Sequence, residues 1–169
     1  MTTTPSQSVE VPETTQLIDG EWSPAPVELG TQLENPNTGE AVAQMRGSTD
    51  DDVERAAAAA WRVHESGAWL KIPAQERADM LEKVADALDA AAPQVAALES
   101  FGTAAVISTT AMLAGVINGG SFRLAAGLLR DGRLMHTVDG PTGKPAEVHR
   151  LPWGPALSLV PWNAPAPQG

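Results

Sequence analysis

The side chains with the most pointed chemistry lie at residues 156–169, which read ALSLVPWNAPAPQG. A five-residue apolar run ends at Val160, and a Pro161-Trp162-Asn163 turn follows. A buried strand running into a sharp turn is where open α/β sheets place their ligands, just past the carboxyl ends of the strands. Asn163 would stand at that rim. Its amide can donate two hydrogen bonds without carrying a charge, which suits an oxygen that becomes negative only during a reaction. Residues 161–165 also read as an ordinary loop stiffened by Pro161 and Pro165, and residue types alone leave both readings open.

Other candidates for chemistry are weaker. Gly140 to Lys144 (GPTGK) resembles the end of a phosphate-cradling loop, but that pattern needs a glycine where Val138 stands and a Ser or Thr where Pro145 stands. His64, His136 and His149 have neither helical ligand spacing nor carboxylates at fixed offsets, so no metal site is expected. Asp50, Asp51 and Asp52 read as the acidic first turn of a helix. The chain has no cysteine, which excludes disulfides, thiolate metal sites and a thiol nucleophile among its own residues.

The elements that must position these residues follow from charge and periodicity. With 169 residues, 43% of them hydrophobic, the chain can bury one domain core. A net charge of −10 opposes nucleic acid and anionic membrane surfaces as partners. Residues 1–15 are rich in Thr, Ser and Pro, lack the basic start and apolar stretch of a secretory signal, and are expected to be a disordered tail on a cytoplasmic protein. The stretch 103–120 is interrupted by Ser, Thr, Asn and Gly, so no transmembrane helix is expected.

Asp19-Gly20 and the cluster 35–40 (NPNTGE) are turn signals that fit two short strands or one ribbon. Ser48 or Thr49 can cap a helix that runs to about His64. Pro73 opens an amphipathic helix striped by Ala74, Ala78, Leu81, Ala85 and Leu88, and Pro93 is expected to start another. Val106, Thr110, Leu113 and Ile117 stripe a further helix that Gly119-Gly120 should end, with Ser121 capping the next. Residues 133–139 and 146–151 flank a Gly140 to Gly143 turn like the arms of a hairpin. Residues 156–160 are expected to be a strand buried on both faces.

Five segments in order then carry a resemblance: Leu17 to Trp22 (LIDGEW), Asn35 to Glu40 (NPNTGE), Asp52 to Ala56 (DVERA), Pro73 to Ala78 (PAQERA), and Pro152 to Pro155 (PWGP) running into Val160 to Pro165 (VPWNAP). Together, over residues 17–165, they resemble the amino-terminal part of the NAD(P)-dependent aldehyde dehydrogenase superfamily. The resemblance implies an α/β fold in four parts. These are the tail 1–15, a short β-ribbon and several α-helices of the cofactor-binding domain over 16–132, an oligomerisation β-hairpin over 133–151, and the first strand of a doubly wound sheet with its Pro-Trp-Asn turn over 152–169.

It also implies roles. Asn163 would stabilise the oxyanion of a tetrahedral intermediate, and Val160, Pro161, Trp162 and Asn163 would line the nicotinamide side of NAD or NADP. The substrate would be an aldehyde, oxidised to a carboxylic acid through a cysteine thiohemiacetal. In the family that cysteine and a glutamate base lie downstream of the turn, so this chain is expected to be inactive alone. Its expected partners are further copies of itself or the remainder of the enzyme. An alternative is a non-catalytic assembly module that packs with a full-length relative. Lys144 to Glu147 (KPAE) looks like the family's ribose-binding lysine motif but precedes the turn, so Lys144 is given no cofactor role.

Overall fold

A computed structural model describes residues 9–166, and in it the Asp19-Gly20 pair forms the expected turn. Asp19 and Gly20 both take positive φ, 55° and 84°, as a two-residue hairpin requires for its twist to match the flanking strands. They join β1 (Thr15–Ile18) to β2 (Glu21–Pro24) in antiparallel register. A second, separate ribbon pairs β3 (Val27–Glu34) with β4 (Ala41–Gly47). Its connection is tied by the Asn37 N–H donating to Asn35 Oδ1 at 2.9 Å and by the Asn35 N–H donating to the Glu40 carbonyl at 2.8 Å. The expected tail does not hold for residues 11–15, since β1 starts at Thr15 and the residues before it are packed. The Thr14 carbonyl accepts from the Ala25 N–H at 2.9 Å, and Val11 to Thr14 line a cleft with Leu33 and Met45. The rest of the expectation, for residues 1–8, lies outside the described residues.

Helix α1 (Asp50–Ser66) begins at a reciprocal cap. Thr49 Oγ1 accepts from the Asp52 N–H at 3.1 Å, and Asp52 Oδ2 accepts from the Thr49 N–H at 3.1 Å. A cap of this kind contributes about 1 kcal/mol. Gly67, at φ 63°, closes the helix in the left-handed conformation and leads into the single turn α2 (Ala68–Lys71).

Pro73 precedes α3 (Ala74–Thr103), whose buried or half-buried face carries Ala74, Ala78, Leu81, Ala85 and Leu88 as the spacing predicts. Pro93 does not start a new helix; it lies inside α3. An interior proline forfeits one ladder bond and crowds the carbonyl four residues back, at a cost of about 3 kcal/mol. The flanking Ala92 and Ala96 are buried in a cluster with Ala114, and that packing carries the helix through the proline.

Gly119-Gly120 does not end a helix either. α4 (Ile107–Met112), a π-helical segment (Leu113–Asn118) and α5 (Gly119–Arg130) form one helical run, and Gly119 sits at φ −62°. Ser121 does not cap; its hydroxyl donates to the Ile117 carbonyl at 2.8 Å. The buried positions are Thr110, Ala114, Asn118, Gly119 and Ala126, whereas Val106 and Ile117 of the expected stripe are exposed. Val106 precedes the helix as its N-cap, and the wider turn of the π segment shifts Ile117 off the regular helical stripe.

The stretch 107–130 is also longer and more apolar in helical form than the sequence suggested. With 24 residues and an 18-residue window of mean hydropathy 1.3 it is long and apolar enough, by length and composition, to cross a membrane. It packs instead on α3, running antiparallel to it. Arg123 reaches Asp86 at 2.7 Å and Asp89 at 2.8 Å, and Arg130 reaches Glu82 at 2.7 Å and Asp79 at 2.9 Å. The carboxylates hold both guanidinium groups above their ordinary pKa, Arg123 chiefly through Asp89 and Arg130 chiefly through Glu82.

Strands β5 (Met135–Asp139) and β6 (Pro145–His149) form an antiparallel hairpin with Met135 opposite His149. Every residue of both strands is exposed. The described residues thus hold three separate two-stranded sheets and no parallel pair. Residues 156–160 form no strand, and they are exposed, Leu157 at 86% and Leu159 at 85%. The expectation of a strand buried on both faces is corrected here. An extended segment becomes a strand only when a neighbour supplies the ladder, and among the described residues none does.

Candidate functional site

The path of the last segment is set by α1. Gly154 takes φ 125° and passes so close to that helix that a Cβ on it would stand 3.1 Å from Trp61 Cζ3 and 3.7 Å from the His64 ring. Glycine suits both demands, the backbone angle and the close approach. Trp61 and His64 stack in a tilted pair with centroids 5.4 Å apart, and Trp61 Nε1 donates to Glu65 at 2.9 Å. Beyond this contact, Pro155, Ala156 and Leu157 form one wall of an apolar groove of about 550 Å³. Its opposite walls are Leu17 and Ile18 of β1 and Val53, Ala56 and Ala60 of α1.

Asp52 stands on the groove's polar margin. The Arg55 guanidinium, then the Thr49 hydroxyl and the Thr49 backbone N–H, hold its carboxyl well below the ordinary range of about 3.9. These contacts stabilise the charged form at the positive end of α1. Asp52 is therefore a structural anion with its acceptors occupied, and it offers no basicity for proton transfer.

The groove stops at Leu157, and the predicted site residues lie beyond it. Val160 is 39% exposed and Trp162 79% exposed, and Pro161 and Asn163 are also exposed. Trp162 and Asn163 occupy a turn, as the Pro-Trp-Asn sequence suggests. Residues 160–163 thus stay together as one short surface segment. All four are exposed. The three histidines remain apart, and no group of three His, Asp or Glu side chains able to hold a metal occurs among the described residues.

One residue of this region was missed by sequence reasoning. Glu99 is only 7% exposed, and its Oε1 accepts from the Ala166 N–H at 2.9 Å, three residues past Asn163. Its Oε2 is buried without a hydrogen-bond partner among the described residues. The signal was present in the spacing: Ala92, Ala96 and Glu99 fall on one face of α3, so a carboxyl occupies a position the stripe reserves for small apolar residues.

Comparison with known proteins gives the context of this geometry. The sequence profile described as "Aldehyde dehydrogenase family" matches residues 24–168. Among curated proteins, the chain is 34% identical over 137 residues to (Z)-2-((N-methylformamido)methylene)-5-hydroxybutyrolactone dehydrogenase of Acinetobacter baylyi, covering 77% of this chain and 26% of that one. It is 30% identical over 153 residues to betaine aldehyde dehydrogenase of Bacillus subtilis, covering 89% of this chain and 31% of that one. Among solved structures, betaine aldehyde dehydrogenase from Staphylococcus aureus in complex with NAD+ superposes with a TM-score of 0.63 at 29% identity, over 75% of this chain and 25% of that one. A double mutant of the same enzyme superposes with a TM-score of 0.71 at 26% identity, over 90% of this chain and 30% of that one. The chain spans less than a third of the length of these relatives.

Proposed function

This chain belongs to the aldehyde dehydrogenase family, and we propose that it forms the amino-terminal portion of an enzyme that oxidises an aldehyde to a carboxylic acid with NAD or NADP. The observation that carries the reading is the family match over residues 24–168, a range that includes Pro161, Trp162 and Asn163. Asn163 is the oxyanion donor: its side-chain N–H groups point hydrogen bonds at the aldehyde oxygen as that oxygen gains negative charge. Val160, Pro161, Trp162 and Asn163 form one side of the nicotinamide site, and NAD(P) supplies a hydride acceptor when bound. The other side comes from residues outside the described ones, and no hydride step is assigned to this chain. The chain has no cysteine, so the thiolate that attacks the aldehyde belongs to a residue outside these 169, and the glutamate base of the thioester hydrolysis is placed there too.

The test has two arms. The coding sequence past Gly169, or a partner chain, should carry a cysteine and a glutamate in family context. In the complete assembly, Asn163→Ala should lower kcat by about 100- to 1,000-fold, the usual loss on removing one oxyanion donor. Unchanged turnover in that variant would overturn the role of Asn163.

A second reading rests on the fully exposed hairpin of β5 and β6. In it, the chain is an assembly module that packs with a full-length relative and alters its oligomeric state. Mixing the two and finding no change in the relative's mass or activity removes this reading.

A further inference from the structure

The turn that bears Asn163 is held at two places. At one end Gly154 lies against Trp61 and His64; at the other the Ala166 N–H donates to Glu99 Oε1 at 2.9 Å. The second contact spans 67 positions of sequence, so it fixes the turn relative to α3, not merely to its own neighbours. Glu99 is itself held firmly. Its carbonyl accepts from Thr103 Oγ1 at 2.6 Å, and Thr103 Oγ1 in turn accepts from the Ala105 N–H at 3.2 Å. Ser100 Oγ donates to the Ala105 carbonyl at 2.7 Å, and one turn back Thr110 Oγ1 donates to the Ala96 carbonyl at 2.9 Å. These bonds lock the end of α3 beside the buried cluster of Ala92, Ala96 and Ala114.

Stability alone is a poor reason for a carboxyl at this position. Oε2 is buried without a partner among the described residues, and an unsatisfied buried polar oxygen is destabilising. An alanine or leucine there would continue the apolar stripe of α3 with no such penalty. What the carboxyl supplies, and no apolar residue can, is an acceptor for a backbone N–H of the 161–166 segment. That segment has few amide hydrogens, because Pro161 and Pro165 have none. A single tether at Ala166 therefore limits much of its freedom.

We propose that Glu99 is a positioning residue: by receiving the Ala166 N–H, its carboxyl sets where Asn163 stands relative to α3. The inference rests on the oxyanion role of Asn163 for its meaning, but its test does not use activity. Hydrogen–deuterium exchange read by mass spectrometry on the peptide covering 160–166 reports the tether directly, and works on associated as well as monomeric protein. The unmodified chain should keep one slowly exchanging amide in this peptide. Glu99→Ala should speed its exchange at least about tenfold, whereas Glu99→Gln, which keeps an Oε1 acceptor, should restore it to within about threefold. Ala166→Pro removes the donor without altering α3, and should raise chymotryptic cleavage after Trp162 at least about fivefold while exchange in peptides of α3 is unchanged.

Equal exchange in the Glu99→Ala and unmodified chains, or a Glu99→Gln variant as fast as Glu99→Ala, would overturn the tether. Unchanged cleavage after Trp162 in Ala166→Pro would overturn its positioning role. Either result leaves the oxyanion reading of Asn163 standing, and a catalytically silent Asn163 would leave the tether standing.

Discussion

At the scale of single residues, the two ends of the site are governed by carboxyl groups in contrasting surroundings. Asp52 satisfies its oxygens at the start of α1 with Thr49 and Arg55, whereas Glu99 satisfies one oxygen and leaves the other bare. The depressed pKa of Asp52 has a consequence for stability. A carboxyl whose folded pKa lies below its unfolded value stabilises the fold above the unfolded value, about 3.9, and that contribution is lost as pH falls through the folded one. Thermal melting of the unmodified chain and of Asp52→Asn should therefore differ by a constant amount above about pH 5 and converge as pH drops below about 4. A difference independent of pH would show that Asp52 acts only as a neutral cap. The reciprocal cap was legible because it is local: a Thr and an Asp three positions apart can find each other only at a helix start. The place of Glu99 on the buried stripe was legible too, but its partner, 67 residues away, was not.

At the scale of elements, α3 and α5 meet along small residues. Ala78, Ala85 and Ala126 are fully buried, and the arginines of α5 lie over a row of carboxylates, Asp79, Glu82, Asp86 and Asp89, on α3. Each such half-exposed pair contributes at most about 1 kcal/mol, so the close approach permitted by alanine matters more than the ion pairs. Ala85→Leu should destabilise the chain by about 1–3 kcal/mol in denaturant titration through overpacking. Ala87→Leu, on the exposed side of the same helix, should stay within about 0.5 kcal/mol. Equal effects at both positions would mean that α5 does not pack on this face. The stripe of α3 could be read in the sequence because its period is regular. The continuity of α3 through Pro93 and of the second helical run through Gly119 could not. Proline and glycine only bias the local backbone, and here the packing around Ala92, Ala96 and Ala114 outweighs that bias.

At the scale of the whole molecule, apolar surface dominates. Trp153 is 101% exposed, and Leu157, Leu159 and Trp162 are each at least 79% exposed, while the buried hydrophobic residues among those described are all alanines. Surface of this extent and kind marks interaction sites or association, and the hairpin of β5 and β6 adds two open strand edges. Light scattering on the isolated chain at micromolar concentration should give a mass above that of one copy. A single sharp monomer with cooperative unfolding would contradict this expectation. By itself the sequence determined what depends on neighbours within a few positions: the primed turn at Asp19-Gly20, the cap at Thr49, the stripe of α3, the hairpin around Gly140, and the ordered motifs that place the chain among the aldehyde dehydrogenases. Tertiary structure alone decided that the two helical runs pass through Pro93 and Gly119, that residues 156–160 form no strand, and that Glu99 reaches Ala166. These outcomes depend on which surfaces meet across long separations, and the free energy of such contacts is written in no local stretch of residues.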